Sequence, residues 1–124
     1  MIKGDTAMEN GADKVKLAVL WKTANRETVA NVVLPYVKAA GASGRFGHVR
    51  LAAWGPSVRV MSGYGDIGQR VAELAQSGVE VTADSLCAEL YGAAEAMELT
   101  GAHLTDMSAA LTDMILGGWQ IITM

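Results

Sequence analysis

Val15-Lys16-Leu17-Ala18-Val19-Leu20-Trp21 is a stretch of seven residues in which only Lys16 is polar. A short run that is apolar at consecutive positions, rather than at alternate ones, is typical of a strand whose two faces are both buried. Strands of this kind occur in parallel sheets, where helices cover both faces. The stretch therefore predicts an α/β fold.

Four later segments also have the composition of strands, and helical patterns separate them. They are 48–54, 79–82, 103–107 and 119–123. Between the first two strands, apolar residues recur at helical spacing, as in Val29, Val33 and Val37. Alternating strands and helices form parallel sheets with right-handed crossovers. We therefore predict a three-layer α/β/α domain with a five-stranded, mostly parallel sheet.

Individual residues indicate where the helices begin and bend. Thr23 or Asn25 can cap the first helix, and Pro35 should kink or divide it. Asp84 or Ser85 is expected to cap a helix that continues to Gly101. The predicted apolar stripes are Leu86, Leu90, Ala94 and Met97 for that helix, and Leu111, Met114 and Ile115 for the last one.

Length and composition indicate one domain that associates with copies of itself. The chain has 124 residues, and we assign 1–14 to a flexible N-terminal arm and 15–124 to a single α/β domain. Hydrophobic residues make up 51% of the chain although aromatic residues make up only 6%. Excess apolar surface on a small protein usually marks an interface, so we expect a homo-oligomer.

Charge and hydropathy argue against several classes of partner. The net charge is −3 and the Lys and Arg residues are scattered, so no nucleic-acid footprint is visible. No apolar run reaches the roughly 18 residues that a membrane span requires. The first residues contain no apolar core of a signal peptide. These features predict a cytoplasmic protein that binds neither nucleic acid nor membrane.

Ligands of open parallel sheets bind beyond the carboxyl ends of the strands, and this rule selects the candidate site. The predicted rim residues are Trp21, Trp54, Gly55, Pro56, Ser57, Asp84 and Ser85. Cys87, the single cysteine, falls at the same end. His48 and His103 begin their strands and should lie at the opposite end, which argues against a Cys-His pair within one chain.

Cys87 is the candidate nucleophile. It should lie in the first turn of a helix, where unpaired N–H groups and the helix dipole lower a thiol pKa, whereas a nearby Asp84 should limit that effect. We therefore expect a modestly depressed pKa for Cys87. The alternative is a small apolar residue that only packs. A single cysteine also excludes an internal disulfide and a cysteine-rich metal site, and we predict neither a metal nor a cofactor.

A glycine motif offers a second candidate site. Gly63-Tyr64-Gly65-Asp66-Ile67-Gly68 fits the G-x-G-x-x-G pattern of dinucleotide-binding loops, and Asp84 lies at the spacing of the ribose-binding acid. That pattern normally follows the first strand of its domain, whereas here it follows the second, and too little chain remains for two nucleotide-binding halves. These objections leave the loop as the basis of an alternative function, a small-molecule or nucleotide-binding oligomer that uses Gly63–Gly68 and no chemistry at the sulfur of Cys87.

Five segments together resemble one known family. They are Trp54-Gly55-Pro56-Ser57, Gly78-Val79-Glu80-Val81, Cys87-Ala88, Tyr91-Gly92 and Gly118-Trp119-Gln120-Ile121-Ile122. In order and spacing they are similar to the DsrE-like family of small sulfur-relay proteins, over roughly residues 15–124. The resemblance implies a five-stranded parallel sheet between helix layers, and trimers or hexamers.

The resemblance also implies a chemistry for Cys87. Family members carry sulfane sulfur as a persulfide on the cysteine that Cys87 matches, and pass it from donor to acceptor proteins. Many relatives have a second cysteine near the position of Asp84 and Ser85, and this chain lacks it. The expected function is therefore sulfur relay, as a sulfurtransferase or persulfide carrier in which no resolving thiol of the same chain takes part.

Overall fold

A computed structural model of the chain describes residues 14–124. The predicted arm over 1–14 lies outside the described residues, except for Lys14. The strands are β1 (Lys16–Trp21), β2 (His48–Ala53), β3 (Glu80–Asp84), β4 (His103–Thr105) and β5 (Gln120–Thr123). All of them pair in parallel, in the order β4-β3-β2-β1-β5. The predicted five-stranded parallel sheet is confirmed.

Helices occupy the connections between the strands. The first, α1, consists of Arg26–Thr28, a π-helical turn Val29–Val33 and Leu34–Ala42. The others are α2 (Pro56–Gly63), α3 (Gly65–Gln76), α4 (Ser85–Leu90), α5 (Ala94–Leu99) and α6 (Met107–Leu116). None of the helices between residues 14 and 124 is long and apolar enough to cross a membrane.

The strand order separates the helices into two layers. From β1 to β4 each strand is added on the same side of the previous one, and the chain then returns to place β5 on the other side of β1. Because parallel crossovers are right-handed, α1 to α5 lie on one face and α6 on the other. The large core cluster contains Leu17, Val19 and Trp21 of β1 together with residues of the five helices. A smaller cluster lies under α6.

The predicted disturbance at Pro35 takes the form of a π-helical turn. Asn25 caps α1 by accepting a hydrogen bond from the Thr28 N–H. The Leu34 N–H then bonds to the Val29 carbonyl, five residues back. Pro35 has no N–H to offer, and the guanidinium of Arg70 in α3 donates to the Ala30 carbonyl at 3.0 Å. The side chain thus replaces a backbone donor that proline cannot provide.

The helix predicted between Asp84 and Gly101 is instead two short helices, α4 and α5. Gly92 ends α4 with φ +63°, a conformation that favours glycine. The break changes the direction of the chain, so the predicted stripe is wrong at three of its four positions. Leu86 and Leu90 are 63% and 72% exposed, Ala94 is also exposed, and only Met97 is buried as predicted. The buried residues are Ala88, Ala93 and Met97. In α6, Met114 is buried as predicted, but Ile115 is exposed.

Candidate functional site

The carboxyl ends of β2 and β3 bring the candidate residues together. Because the two strands are parallel neighbours, the turn after β2 and the start of α4 lie side by side. The turn after β2 leads through Trp54 and Gly55 into α2, and β3 leads directly into α4, which contains Cys87. We call this end of the sheet, with its flanking turns, the carboxyl edge.

Asp84 is the hydrogen-bonding centre of the carboxyl edge. Its carboxylate accepts the backbone N–H of Cys87 and that of Met107, both at 3.0 Å, so it caps α4 and fixes the start of α6. The residue is only 5% exposed. Burial raises the pKa of Asp84, but the N–H groups of Met107 and Cys87 outweigh it and hold that pKa below its usual value. Asp84 is therefore ionised at neutral pH.

The Cys87 thiol is partly buried, packs against the main core and has two polar neighbours. Burial raises its pKa, and the hydrogen bond to Asp84 together with the negative charge of that carboxylate raises it further. The Gly55 N–H opposes this shift, because it can donate to the thiolate. The predicted depression of the Cys87 pKa is therefore wrong. The carboxylate that caps α4 also lies beside the thiol, where its negative charge favours the neutral form of Cys87.

Gly55 and Ser57 hold the turn that faces Cys87. Gly55 has φ +78° and ψ −140°, which a residue with a Cβ rarely adopts. Pro56 follows it in the first turn of α2, where its missing N–H is no disadvantage. The buried Ser57 hydroxyl donates to the carbonyl of Trp21 at 2.6 Å. These residues position the Gly55 N–H. Ser57 has a structural role, because its hydroxyl fixes the turn to the end of β1.

The tryptophans predicted at the rim belong to the packing beneath it. Trp21 is fully buried, and its Nε1–H donates to the Thr23 carbonyl at 3.0 Å. Trp54 is partly buried and packs on the smaller cluster, on the face of the sheet that α6 covers. Ser85 is exposed at the start of α4. Of the predicted site residues, the structure thus places Asp84 and Gly55 at the thiol of Cys87.

Arg59 and Tyr91 also lie at the carboxyl edge, although neither is among the predicted site residues. The guanidinium of Arg59 lies 5.4 Å from the centre of the Tyr91 ring. Arg59 follows Gly55 by four residues on α2, and Tyr91 follows Cys87 by four residues at the end of α4. Those equal spacings are visible in the sequence. They predict a contact between Arg59 and Tyr91 only if α2 is a helix that packs against α4.

The glycine motif connects two helices. Val58–Met61 is part of α2, so Gly63–Gly68 does not have the strand before it that a dinucleotide fingerprint requires. A Cβ on Gly68 would lie 3.1 Å from the Met61 carbonyl oxygen, so close packing of the two helices accounts for a glycine at this position. A cavity of about 340 Å³ lies beside the loop. It is lined by Ala24, Arg59, Val60, Gly63 and Tyr64.

Charged side chains gather at the opposite, amino edge. His48 Nε2 and the Arg50 guanidinium lie 2.7 and 3.1 Å from one oxygen of Glu80. Arg50 also lies 4.5 Å from the ring centre of Trp119. His48 and His103 begin β2 and β4, as predicted, so this edge and the thiol of Cys87 are at opposite ends of the sheet.

The fold resembles two solved structures of unknown function. One, from Bacteroides thetaiotaomicron, is 28% identical, with a TM-score of 0.83 over 88% of this chain and 94% of that one. The other, from Methanobacterium thermoautotrophicum, is 17% identical, with a TM-score of 0.73 over 90% of this chain and all of that one. No family model and no curated protein matches the sequence. The comparisons therefore support the fold of the chain.

Proposed function

We propose that this chain is a cytoplasmic sulfur-relay protein that carries sulfane sulfur as a persulfide on Cys87. The observation that carries the proposal is the position of its single cysteine, at the ligand-binding edge of a parallel sheet and between a carboxylate and a backbone N–H. The resemblance of the segments around Cys87 to DsrE-like proteins supports the same chemistry.

Loading follows from thiol chemistry at this position. The Cys87 thiolate attacks the outer sulfur of a donor persulfide, a new S–S bond forms, and the donor thiolate leaves with the electron pair of the broken bond. The Gly55 N–H can stabilise the attacking thiolate. Asp84, with its lowered pKa, is a weak base, so the thiol proton passes to water or buffer.

The raised pKa of Cys87 favours retention of the sulfur over rapid exchange. In release, an acceptor thiolate attacks the outer sulfur and Cys87 departs as a thiolate, and a thiol of higher pKa leaves more slowly. The chain has no second cysteine, so the persulfide cannot collapse into an internal disulfide. A partner protein with its own thiol therefore completes the transfer, which is a sulfurtransferase reaction.

The proposal includes self-association into a trimer or a hexamer. The exposed apolar residues Leu86, Leu90 and Leu99 on α4 and α5, and Leu116 on α6, support an interface between copies. Light scattering at micromolar concentration should return three or six times the 13.0 kDa chain mass. A mass of one chain would contradict this part of the proposal and leave the chemistry of Cys87 untouched.

The experiment for the carrier function is a loading and chase measurement. The reduced protein is incubated with hydroxyethyl persulfide, freed of donor and weighed by intact mass spectrometry. It should gain about 32 Da, the mass of one sulfur, and lose it on addition of an acceptor thiol. Cys87→Ser should gain nothing. A wild-type chain that takes up no sulfur would contradict the proposal.

The second candidate is a small-molecule or nucleotide-binding oligomer that uses the Gly63–Gly68 loop. The cavity beside Gly63 and Tyr64 favours it, although the two-helix setting of the loop does not suit a dinucleotide. We expect no micromolar binding of NAD or FAD in calorimetry. Clear heats of binding that disappear in Gly65→Val would favour this candidate over sulfur relay.

A further inference from the structure

A groove between helices α1 and α3 opens at the amino edge of the sheet. Two adjoining cavities form it, one of about 320 Å³ and one of about 260 Å³, and both are lined by Gly41 and Ser77. Gly41 lies near the end of α1 and Ser77 follows α3, so the groove opens where the chain leads into β2 and β3. The larger cavity alone falls in the range of about 300–1,000 Å³ that is typical of small-molecule sites.

The floor of the larger cavity is apolar. Leu34 of α1 and Leu74 of α3 line it, and both side chains are almost completely buried. Gly41 and Ala42 line the same cavity and add no bulky side chain. A Cβ on Gly41 would lie only 3.0 Å from a methyl carbon of Val79, so the glycine also lets α1 approach the start of β3. The floor can therefore cover the hydrocarbon part of a ligand.

Three charged side chains surround this apolar floor. Lys38 on α1 and Arg70 and Glu73 on α3 all line the larger cavity. None of the ion pairs formed within residues 14–124 involves any of the three. Two cations and one carboxylate give the lining an excess of positive charge, which attracts anions.

Arg70 is held in place by the π-helical turn of α1. Its guanidinium donates to the carbonyl of Ala30, within that turn, at 3.0 Å. A guanidinium has five N–H donors, so this bond leaves others for a ligand. The turn ends at Val33, directly before Leu34 of the floor, and π-helical turns frequently occur at functional sites. The groove thus contains a cation that the fold already orients, which reduces the entropy lost on binding.

We propose that the groove binds a small amphiphilic carboxylate, with its carboxylate group at Lys38 and Arg70 and its hydrocarbon part over Leu34 and Leu74. A carboxylate matches the planar row of donors that a guanidinium presents. Glu73 repels any second anionic group, so the ligand carries a single negative charge. Binding is separate from sulfur relay, because no residue of the carboxyl edge lines either cavity.

The first test compares three probes of equal chain length, which are octanoate, 1-octanol and octylammonium. Each is titrated into the wild-type protein below its micelle-forming concentration and followed by amide NMR signals. Octanoate should shift the signals of Gly41, Ala42 and Ser77. Octanol makes no charge-assisted contact and should bind about tenfold more weakly or worse, and octylammonium should be weaker still because the cations repel it. Octanol or octylammonium binding as tightly as octanoate, or octanoate leaving these signals unmoved, would overturn the inference.

The second test uses two matched pairs of variants with octanoate. Ala42→Trp should fill the groove and abolish measurable binding, whereas Ala39→Trp adds the same side chain at an exposed position of α1 outside the lining. Lys38→Gln should weaken binding about fivefold. Ala39→Trp and Lys22→Gln, which removes an exposed lysine after β1, should stay within about twofold of the wild type. Equal affinities within the lysine pair would refute the inference even if Ala42→Trp failed to fold, and unchanged binding by a folded Ala42→Trp would refute it as well.

Discussion

Strand β3 begins and ends with a carboxylate, and the two are held in different ways. At the amino edge, burial raises the pKa of Glu80, but hydrogen bonds and charges from His48 and Arg50 lower it to below its usual value. At the carboxyl edge, Asp84 also has a lowered pKa, but its partners are the backbone N–H groups of Met107 and Cys87.

The two carboxylates differ in how firmly their hydrogen-bond partners are held in place. The backbone N–H groups in the first turn of a helix keep their positions as long as the fold persists, whereas interactions between side-chain charges near water weaken with salt and change with pH. The carboxyl edge therefore has a fixed anion beside its only thiol. The Glu80 cluster stabilises the opposite end of the sheet through side chains that can exchange partners with solvent.

The largest difference between Asp84 and Glu80 should be in the free energy of unfolding. Asp84→Asn keeps one acceptor oxygen but loses the other, next to a buried backbone N–H, so we expect a loss of about 2 kcal/mol. Glu80→Gln should cost about 1 kcal/mol or less, because Glu80 is a third exposed. Urea unfolding at pH 7 measures both. A larger loss for Glu80→Gln would contradict the contrast.

Acid should reveal the same contrast. Because the folded pKa of Asp84 is lowered, its contribution is fully present above the ordinary aspartate pKa of about 3.9 and is lost as pH falls through the folded value. The free energy of unfolding should therefore fall with acid, and fall less steeply in Asp84→Asn. Urea titrations between about pH 7 and 3 test this. Parallel curves for the wild type and Asp84→Asn would show that Asp84 is not the titrating group.

The pKa of the Cys87 thiol should depend on the negative charge of Asp84. Alkylation of Cys87 by iodoacetamide should have its inflection above the reference value of about 8.5. In Asp84→Asn the inflection should move to lower pH, because the negative charge and its hydrogen bond are gone. Glu80→Gln is the control and should leave the inflection unchanged. An inflection below that of free cysteine in the wild type would contradict the geometry around Cys87.

The smallest expected effect is that of salt. Raising the salt concentration to about 0.5 M should reduce the difference in unfolding free energy between the wild type and Glu80→Gln, by a few tenths of a kcal/mol. The difference between the wild type and Asp84→Asn should stay nearly constant, since Asp84 is buried among backbone donors. If salt changed the two differences in unfolding free energy equally, the proposed contrast between Asp84 and Glu80 would be wrong.

The fold could be predicted from the sequence because its signals are local. The buried pattern of β1 and the helical spacing after it each depend on neighbouring residues alone. The break between α4 and α5 was harder to predict. A stripe through Leu86, Leu90, Ala94 and Met97 fits one long helix. Gly92 allows the chain to break there, and the packing of Ala88 and Ala93 on the core favours two helices over one.

The site could be predicted in part. Strand order places Cys87, Asp84 and Gly55 at one edge, and the alternation of strands and helices in the sequence was enough to find them. The direction of the Cys87 pKa shift could not be found, because it depends on which atoms surround the sulfur. Arg59 was missed because its segment has the β-branched residues of a strand and yet forms helix α2.

Sulfur uptake by Cys87 tests the central claim most directly. Because the chain has one cysteine, the intact mass after incubation with hydroxyethyl persulfide assigns any added sulfur to that residue without digestion. The account predicts a gain of about 32 Da in the wild type, no gain in Cys87→Ser, and a return to the starting mass on reduction. An unchanged wild-type mass, with a thiol that alkylates normally, would contradict the claim that Cys87 carries sulfur.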